Sequence, residues 1–198
     1  YNNKKIQNYV SSLGNFLVST SELPNLKFTF TILDTELVNA FALPGGYIYL
    51  TRGLLAICQN EAQLAGVISH EIGHVTARHT AKRYTKTIGT GILANILGSL
   101  GNNILIENLI NQSAGLYLLS YSREQEYQAD KLAIRYMKRA GFKTTEMANF
   151  LRIMGDYSNF ENRKSGNIKQ NTESDLMSTH PLSKKRVNEV KIASKKNT

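Results

Sequence analysis

Apolar side chains between residues 4 and 20 fall at Ile6, Tyr9, Val10, Leu13, Phe16 and Leu17, at steps of three and four. That period predicts an amphipathic helix, broken by "LPNL" at 23–26. The pattern then alternates. Leu26, Phe28, Phe30 and Ile32 share one face of "LKFTFTI", with Lys27, Thr29 and Thr31 on the other, which predicts a half-buried strand over 26–32. A second strand is predicted over 36–42, a turn at Pro44-Gly45-Gly46, and a third strand over the β-branched and aromatic run 47–50. Short connections point to a small antiparallel sheet of about three strands.

From Thr51 the period becomes helical. Asn60 and Gln63 resemble a capping box ahead of Leu64, Val67, Ile68, Ile72 and Val75, and this helix is expected to run to about Arg83. Further helices are expected at 88–100 and 103–119. Another should start after Ser122 and end near Ala140, where Gly141 follows. Residues 144–154 read as a helix, the polar stretch 158–175 as a loop, and Pro181 as the opening of a last basic helix to about Ala193. The class is therefore α+β and mainly helical, one domain over 1–198.

Composition narrows the chemistry. The chain has 198 residues, 41% of them hydrophobic, which is enough for a packed core. Its single cysteine, Cys58, excludes an internal disulfide and a thiolate metal cluster, so any metal must be held by His, Asp and Glu. The formal net charge of +9 collects near the termini, as in Lys184, Lys185 and Arg186. An anionic surface is one reading of it. A solvated face is the preferred one, because no basic-aromatic motif for nucleic acid accompanies the charge. No window reaches the ~18 apolar residues of a membrane span. The start at Tyr1, without methionine, leads us to expect a targeting segment removed upstream.

Three of the four histidines lie in "SHEIGHVTARH", residues 69–79. On a helix, residues four apart differ by about 40° in direction, so His70 and His74 reach one ion from one face. Glu71 beside them suits a general base toward a water held by zinc. His79 would point away while that helix stays regular, and reads as a structural or surface residue. Gly73 costs about 1 kcal/mol in a helix interior, so something should require it, such as the close approach of another backbone. A third ligand is offered by "SREQEYQAD", residues 122–130. Glu126 and Asp130 again share a face: the first can bind zinc, and the second can accept a hydrogen bond from a ligand histidine.

Four segments in order, "NAFALPGGYIYLTRGLL", "HEIGHVTARH", "SREQEYQAD" and "THPLSKKR", resemble the zinc peptidase domain shared by the HtpX, Oma and BepA-type proteases and the CAAX prenyl-protein endoproteases, over about residues 36–190. The resemblance implies a zincin-like gluzincin fold, one Zn²⁺ per chain, and an endopeptidase acting on misfolded or envelope-associated polypeptides in a bacterial periplasm or cell envelope. It implies that Glu126 is the third ligand and Asp130 its partner acid. His180 is either a transition-state stabiliser, acting with Arg186 on the developing oxyanion, or an extra, inhibitory ligand. The strand of Asn39, Ala40 and Phe41 would pair with extended substrate. Members of this family carry transmembrane helices or a helical-repeat domain, so a minimal soluble peptidase domain is expected here. Residues 86–121 are an insertion expected to act as a lid, with membrane contact or oligomer contact as alternatives. Two other functions remain: a chaperone-like binding module that His180 closes, and a basic nucleic-acid-binding protein with a structural metal.

Overall fold

A computed structural model describes residues 1–87, 120–164 and 175–196. The first helix, α1 (Lys4–Ser19), is capped by the Asn3 side chain, which accepts from the Ile6 amide. Strands β1 (Thr29–Leu33), β2 (Ala40–Leu43) and β3 (Tyr47–Thr51) follow, then α2 (Arg52–Ile57), α3 (Glu61–Thr76) and α4 (His79–Thr87). Beyond residue 120 come α5 (Arg123–Arg139), α6 (Thr145–Lys164), α7 (Asp175–Thr179) and α8 (Lys184–Lys196).

The three strands are present, but the sheet is mixed, in the order β1-β3-β2. β2 and β3 form the antiparallel hairpin that the Pro-Gly-Gly turn demands, and β1 pairs parallel to β3, Phe30 opposite Ile48. Two successive chain reversals make the first and third strands run the same way. Which strand lies in the middle then decides the pairing. β3 takes that place, with Ile48, Tyr49 and Leu50 all buried, and β2 is equally buried from Ala40 to Leu43, so burial alone does not choose between them. β2 is left at an edge.

α3 is the central element. Every residue from Gln63 to Val75 is buried, against the sheet, α1, α5 and α6. The Asn60 side chain accepts from the Gln63 amide, as read from sequence. Gln63 returns its side-chain oxygen to the Gln59 amide, one residue earlier than a capping box would place it. At α5 the box is complete, Ser122 and Gln125 each accepting the other's amide, and Gly141 follows the helix at φ +79°.

Three boundaries differ from expectation. The helix expected to reach Arg83 breaks at Ala77-Arg78, where Arg78 adopts φ +59°. Its amide still closes onto the Val75 carbonyl, and α4 begins at the next residue. The helix expected to stop at 154 continues to Lys164, so 158–164 is helical rather than loop. Polar residues end a hydrophobic period without ending a helix: they mark only where its inner face has left the core. Residues 175–179 form a short helix that the sequence pattern does not announce. The helices expected at 88–100 and 103–119, and most of the 86–121 insertion, lie outside the described residues.

Gly73 is where α3 meets α5. A Cβ there would lie 3.1 Å from the Ala129 carbonyl oxygen and 3.3 Å from its Cα. Gly73→Val would force three carbons into that contact and is expected to cost about 2 kcal/mol, hence roughly 4–8 °C of melting temperature at this chain length. Thermal unfolding followed by circular dichroism would read it. A shift under 1 °C would show that α5 does not depend on this contact.

Candidate metal centre

α3 and α5 face each other, and each presents side chains four residues apart to the shared seam. From α3 come His70, Glu71 and His74; from α5 come Glu126 and Asp130. α7 ends at Thr179, and His180 follows it into the same seam. All of these side chains are buried.

Four donor groups converge, those of His70, His74, Glu126 and His180. The Nε2 atoms of His70 and His74 are 3.0 Å apart. His180 Nδ1 lies 3.2 Å from His70 Nε2 and 3.0 Å from Glu126 Oε1. Glu126 Oε2 lies 3.3 Å from His70 Nε2, and its Oε1 lies 3.2 Å from His74 Nε2. A tetrahedral zinc with donors at about 2.0–2.1 Å spaces them about 3.3 Å apart, so the set fits that ion with little adjustment.

The hydrogen bonds turn lone pairs toward the centre. His70 Nδ1 is 2.9 Å from Asp130 Oδ1, an ion-pair contact outside hydrogen-bond geometry whose charge favours the ring proton on that side and leaves Nε2 free. His180 Nε2 is 3.2 Å from the Ala40 carbonyl oxygen, which leaves Nδ1 free. Unprotonated nitrogens facing one another at these distances repel unless a cation lies between them. Charge gives the same answer. Three buried carboxylates, Glu71, Glu126 and Asp130, meet one buried guanidinium, Arg186. Among the described residues this leaves an excess of two negative charges, which matches a divalent cation.

Arg186 binds Asp130 with two nitrogens, at 2.7 and 2.9 Å, reaches Glu126 Oε2 at 2.6 Å, and donates to the His180 carbonyl at 3.3 Å. Burial favours the neutral form of both acids, yet the guanidinium outweighs it and holds Glu126 and Asp130 below the usual carboxylate range. At His70 burial pulls the ring down, but Glu126 and Asp130 outweigh it and push it up to about 9. His74 is held well below its ordinary value by burial. The seam thus favours positive charge at His70, from a proton or from a cation. Burial also raises Glu71, whose Oε1 is 3.3 Å from His180 Nε2 and whose Oε2 has no hydrogen-bond partner among the described residues.

The strand read as a substrate edge is present, and its outer side is occupied. The Val38 carbonyl accepts from the Leu176 amide, Ala40 from His180 Nε2, and Ala42 from Arg83 and the Tyr121 hydroxyl. Asn39 is buried, and its Oδ1 accepts the Thr179 hydroxyl. Phe41 stacks on Tyr49 with ring centroids 5.1 Å apart.

Two residues escaped the sequence reading. Tyr121 stacks on the His74 ring at 3.6 Å between centroids, with Arg83 over its other neighbourhood at 4.2 Å. No spacing rule marks it. His79, expected to point away, turns back into the site: its Nδ1 is 3.0 Å from His74 Nδ1. The break at Arg78 makes this possible, and arginine gives no signal of that break.

Comparison with known proteins places these features in a family. Residues 4–193 match the model of "Peptidase family M48". The chain is 29% identical over 197 residues to the beta-barrel assembly-enhancing protease of Escherichia coli (strain K12), covering 94% of this chain and 38% of that protein. It is 30% identical over 192 residues to the protein of the same name from Yersinia pestis, covering 92% of this chain and 38% of the relative. It is 31% identical over 177 residues to the mitochondrial metalloendopeptidase OMA1 of Saccharomyces cerevisiae, covering 86% of this chain and 48% of that protein. The chain therefore spans well under two thirds of the length of these relatives.

Proposed function

The chain belongs to peptidase family M48, and from that premise we propose that it is a zinc endopeptidase unit in which His70, His74 and Glu126 hold the metal and His180 closes it. One observation supports this above the others. Three imidazole nitrogens and a carboxylate converge at 3.0–3.3 Å beside the buried carboxylate of Glu71, whose Oε2 has no hydrogen-bond partner among the described residues. That donor set favours zinc among divalent ions.

Zinc bound there would supply Lewis acidity toward a peptide carbonyl and toward water. The chain's own residues do the rest. Glu71 takes a proton from the attacking water and returns it to the leaving amine. Burial, by raising its affinity for protons, suits it to both halves of that exchange. Asp130 orients His70, and Arg186 balances the two acids of α5. The edge of β2, at Asn39, Ala40 and Phe41, receives extended substrate through main-chain hydrogen bonds once the 176–180 segment withdraws. Such contacts read backbone rather than side chains, which favours a broad range of polypeptides.

The bacterial relatives are named for enhancing beta-barrel assembly, and we propose a cell-envelope setting for this chain. No helix among the described residues is long and apolar enough to cross a membrane. The substrate class is then misfolded or envelope-associated polypeptide.

Metal removal tests the reading. Incubation with 1,10-phenanthroline and desalting are expected to lower casein hydrolysis at least about a hundredfold, and one equivalent of zinc to restore it. Hydrolysis that persists in metal-free protein would exclude the mechanism.

A further inference from the structure

Each nitrogen ligand must present a lone pair, so its other ring nitrogen must carry the proton. For His70 the group that favours this is Asp130, whose Oδ1 lies 2.9 Å from Nδ1. Among the described residues no carboxylate lies on the Nδ1 of His74. What it has is His79, at 3.0 Å, and His79 Nε2 is in turn 3.0 Å from Gln128 Oε1.

We propose that His79 and Gln128 are a positioning pair that sets the tautomer and the orientation of His74. The inference rests on the metal reading above. The chain of bonds has only one direction that leaves His74 able to bind. Gln128 offers its side-chain oxygen, which only accepts. His79 therefore donates from Nε2, and its Nδ1 becomes an acceptor. His74 must then donate from Nδ1, and its Nε2 lone pair turns to the metal site. Were the amide reversed, every proton would shift by one place and His74 Nε2 would carry hydrogen.

Placement supports a dedicated role. His79 is 2% exposed, so an unpartnered ring there would be costly. Its position depends on Arg78 in the left-handed region, a conformation that a non-glycine residue adopts only at some cost. Without that break His79 would continue along α3 and miss His74. Gln128 sits on α5, two residues beyond Glu126, so the same helix that brings the carboxylate ligand also orients the facing histidine. Tyr121 stacks on the His74 ring and restrains its tilt, but a stacking face does not choose between tautomers.

The test uses the chain with zinc as the probe. His79→Phe keeps the ring volume and removes the acceptor. Its zinc dissociation constant, measured by competition with a chromophoric chelator, is expected to rise roughly 10–100-fold. The melting temperature in EDTA should stay within a few degrees of the parent. His79→Asn places an amide oxygen near the lost Nδ1 and should restore affinity to within about threefold. Gln128→Met, at an exposed helix position, should weaken zinc binding by a smaller factor. Two-bond ¹H–¹⁵N spectra of the parent should show His74 protonated at Nδ1 and His79 at Nε2. A folded His79→Phe chain with zinc affinity within twofold of the parent would overturn the proposal, as would a folded His79→Asn chain as weak as His79→Phe. If His79→Phe does not fold, unchanged zinc affinity in Gln128→Met overturns it. A parent chain that binds no zinc fails at the metal reading itself, which separates the two failures.

Discussion

Replacing Glu71 with glutamine is expected to lower peptide hydrolysis about a thousandfold while zinc remains bound at one ion per chain. The carboxylate is not among the four converging donors, so the ligand set survives. Glutamine keeps the shape and cannot take a proton at neutral pH. General-base catalysis by a positioned carboxylate accounts for roughly 10²–10⁴-fold, and in the proposed mechanism the same group also returns the proton to the amine. The direction of the Glu71 shift sharpens the expectation. Burial raises this carboxyl above the usual range, so it holds a proton more readily than an exposed glutamate. The base form is then lost as pH falls, and the acidic limb of the rate profile should lie above that of a solvent-exposed carboxylate. Initial rates on casein, beside metal analysis of the same preparation, measure both quantities. Activity within tenfold of the parent would remove Glu71 as the base. Loss of zinc together with activity would make it a structural residue instead.

The parts of this site that a sequence shows are those built on local periodicity. His70 and His74 share a face because a helix repeats at 3.6 residues, and Glu126 and Asp130 do so for the same reason. The Ser122 cap and the Gly141 stop carry their own local signals. The strands were legible to within a few residues, since alternation is local too. The order of the strands was not. Alternation gives a strand its two faces but not its neighbours, and the parallel pairing of β1 with β3 depends on which strand lies in the middle of the sheet. His79 failed for a different reason. A regular helix takes it away from the cluster of donors, and only the left-handed Arg78 brings it back. Asparagine or glycine at that position would have announced the turn. The covering of the β2 edge by α7 and His180 joins residues more than a hundred positions apart, and nothing local encodes it.

That covering underlies the second large effect. His180→Ala is expected to raise peptide hydrolysis about tenfold. In this structure the imidazole does three things at once. Its Nδ1 supplies the fourth donor, 3.2 Å from His70 Nε2 and 3.0 Å from Glu126 Oε1. Its Nε2 occupies the Ala40 carbonyl, which an extended substrate needs. The same nitrogen sits 3.3 Å from Glu71, where a water to be deprotonated should lie. In the proposed mechanism a ring so placed would exclude both reactants, and activity would be reduced by the fraction of molecules so closed. Alanine clears all three positions. The gain stays near tenfold because other contacts of the segment persist: the Leu176 amide on the Val38 carbonyl, the Thr179 hydroxyl on Asn39, and the Tyr121 amide on the Thr179 carbonyl. Zinc affinity should fall, since one donor is lost, while the three remaining ligands keep the ion in place. Rates and zinc affinity measured on one preparation separate the possible roles. A fall to the level of Glu71→Gln with zinc retained would make His180 a stabiliser of the developing oxyanion rather than a closure. Parent and both variants equally inactive on every polypeptide tried would favour a binding module that the histidine keeps shut. An unchanged rate in a folded, zinc-loaded His180→Ala chain would mean that the segment leaves the site before substrate arrives, and that His180 takes no part in either step.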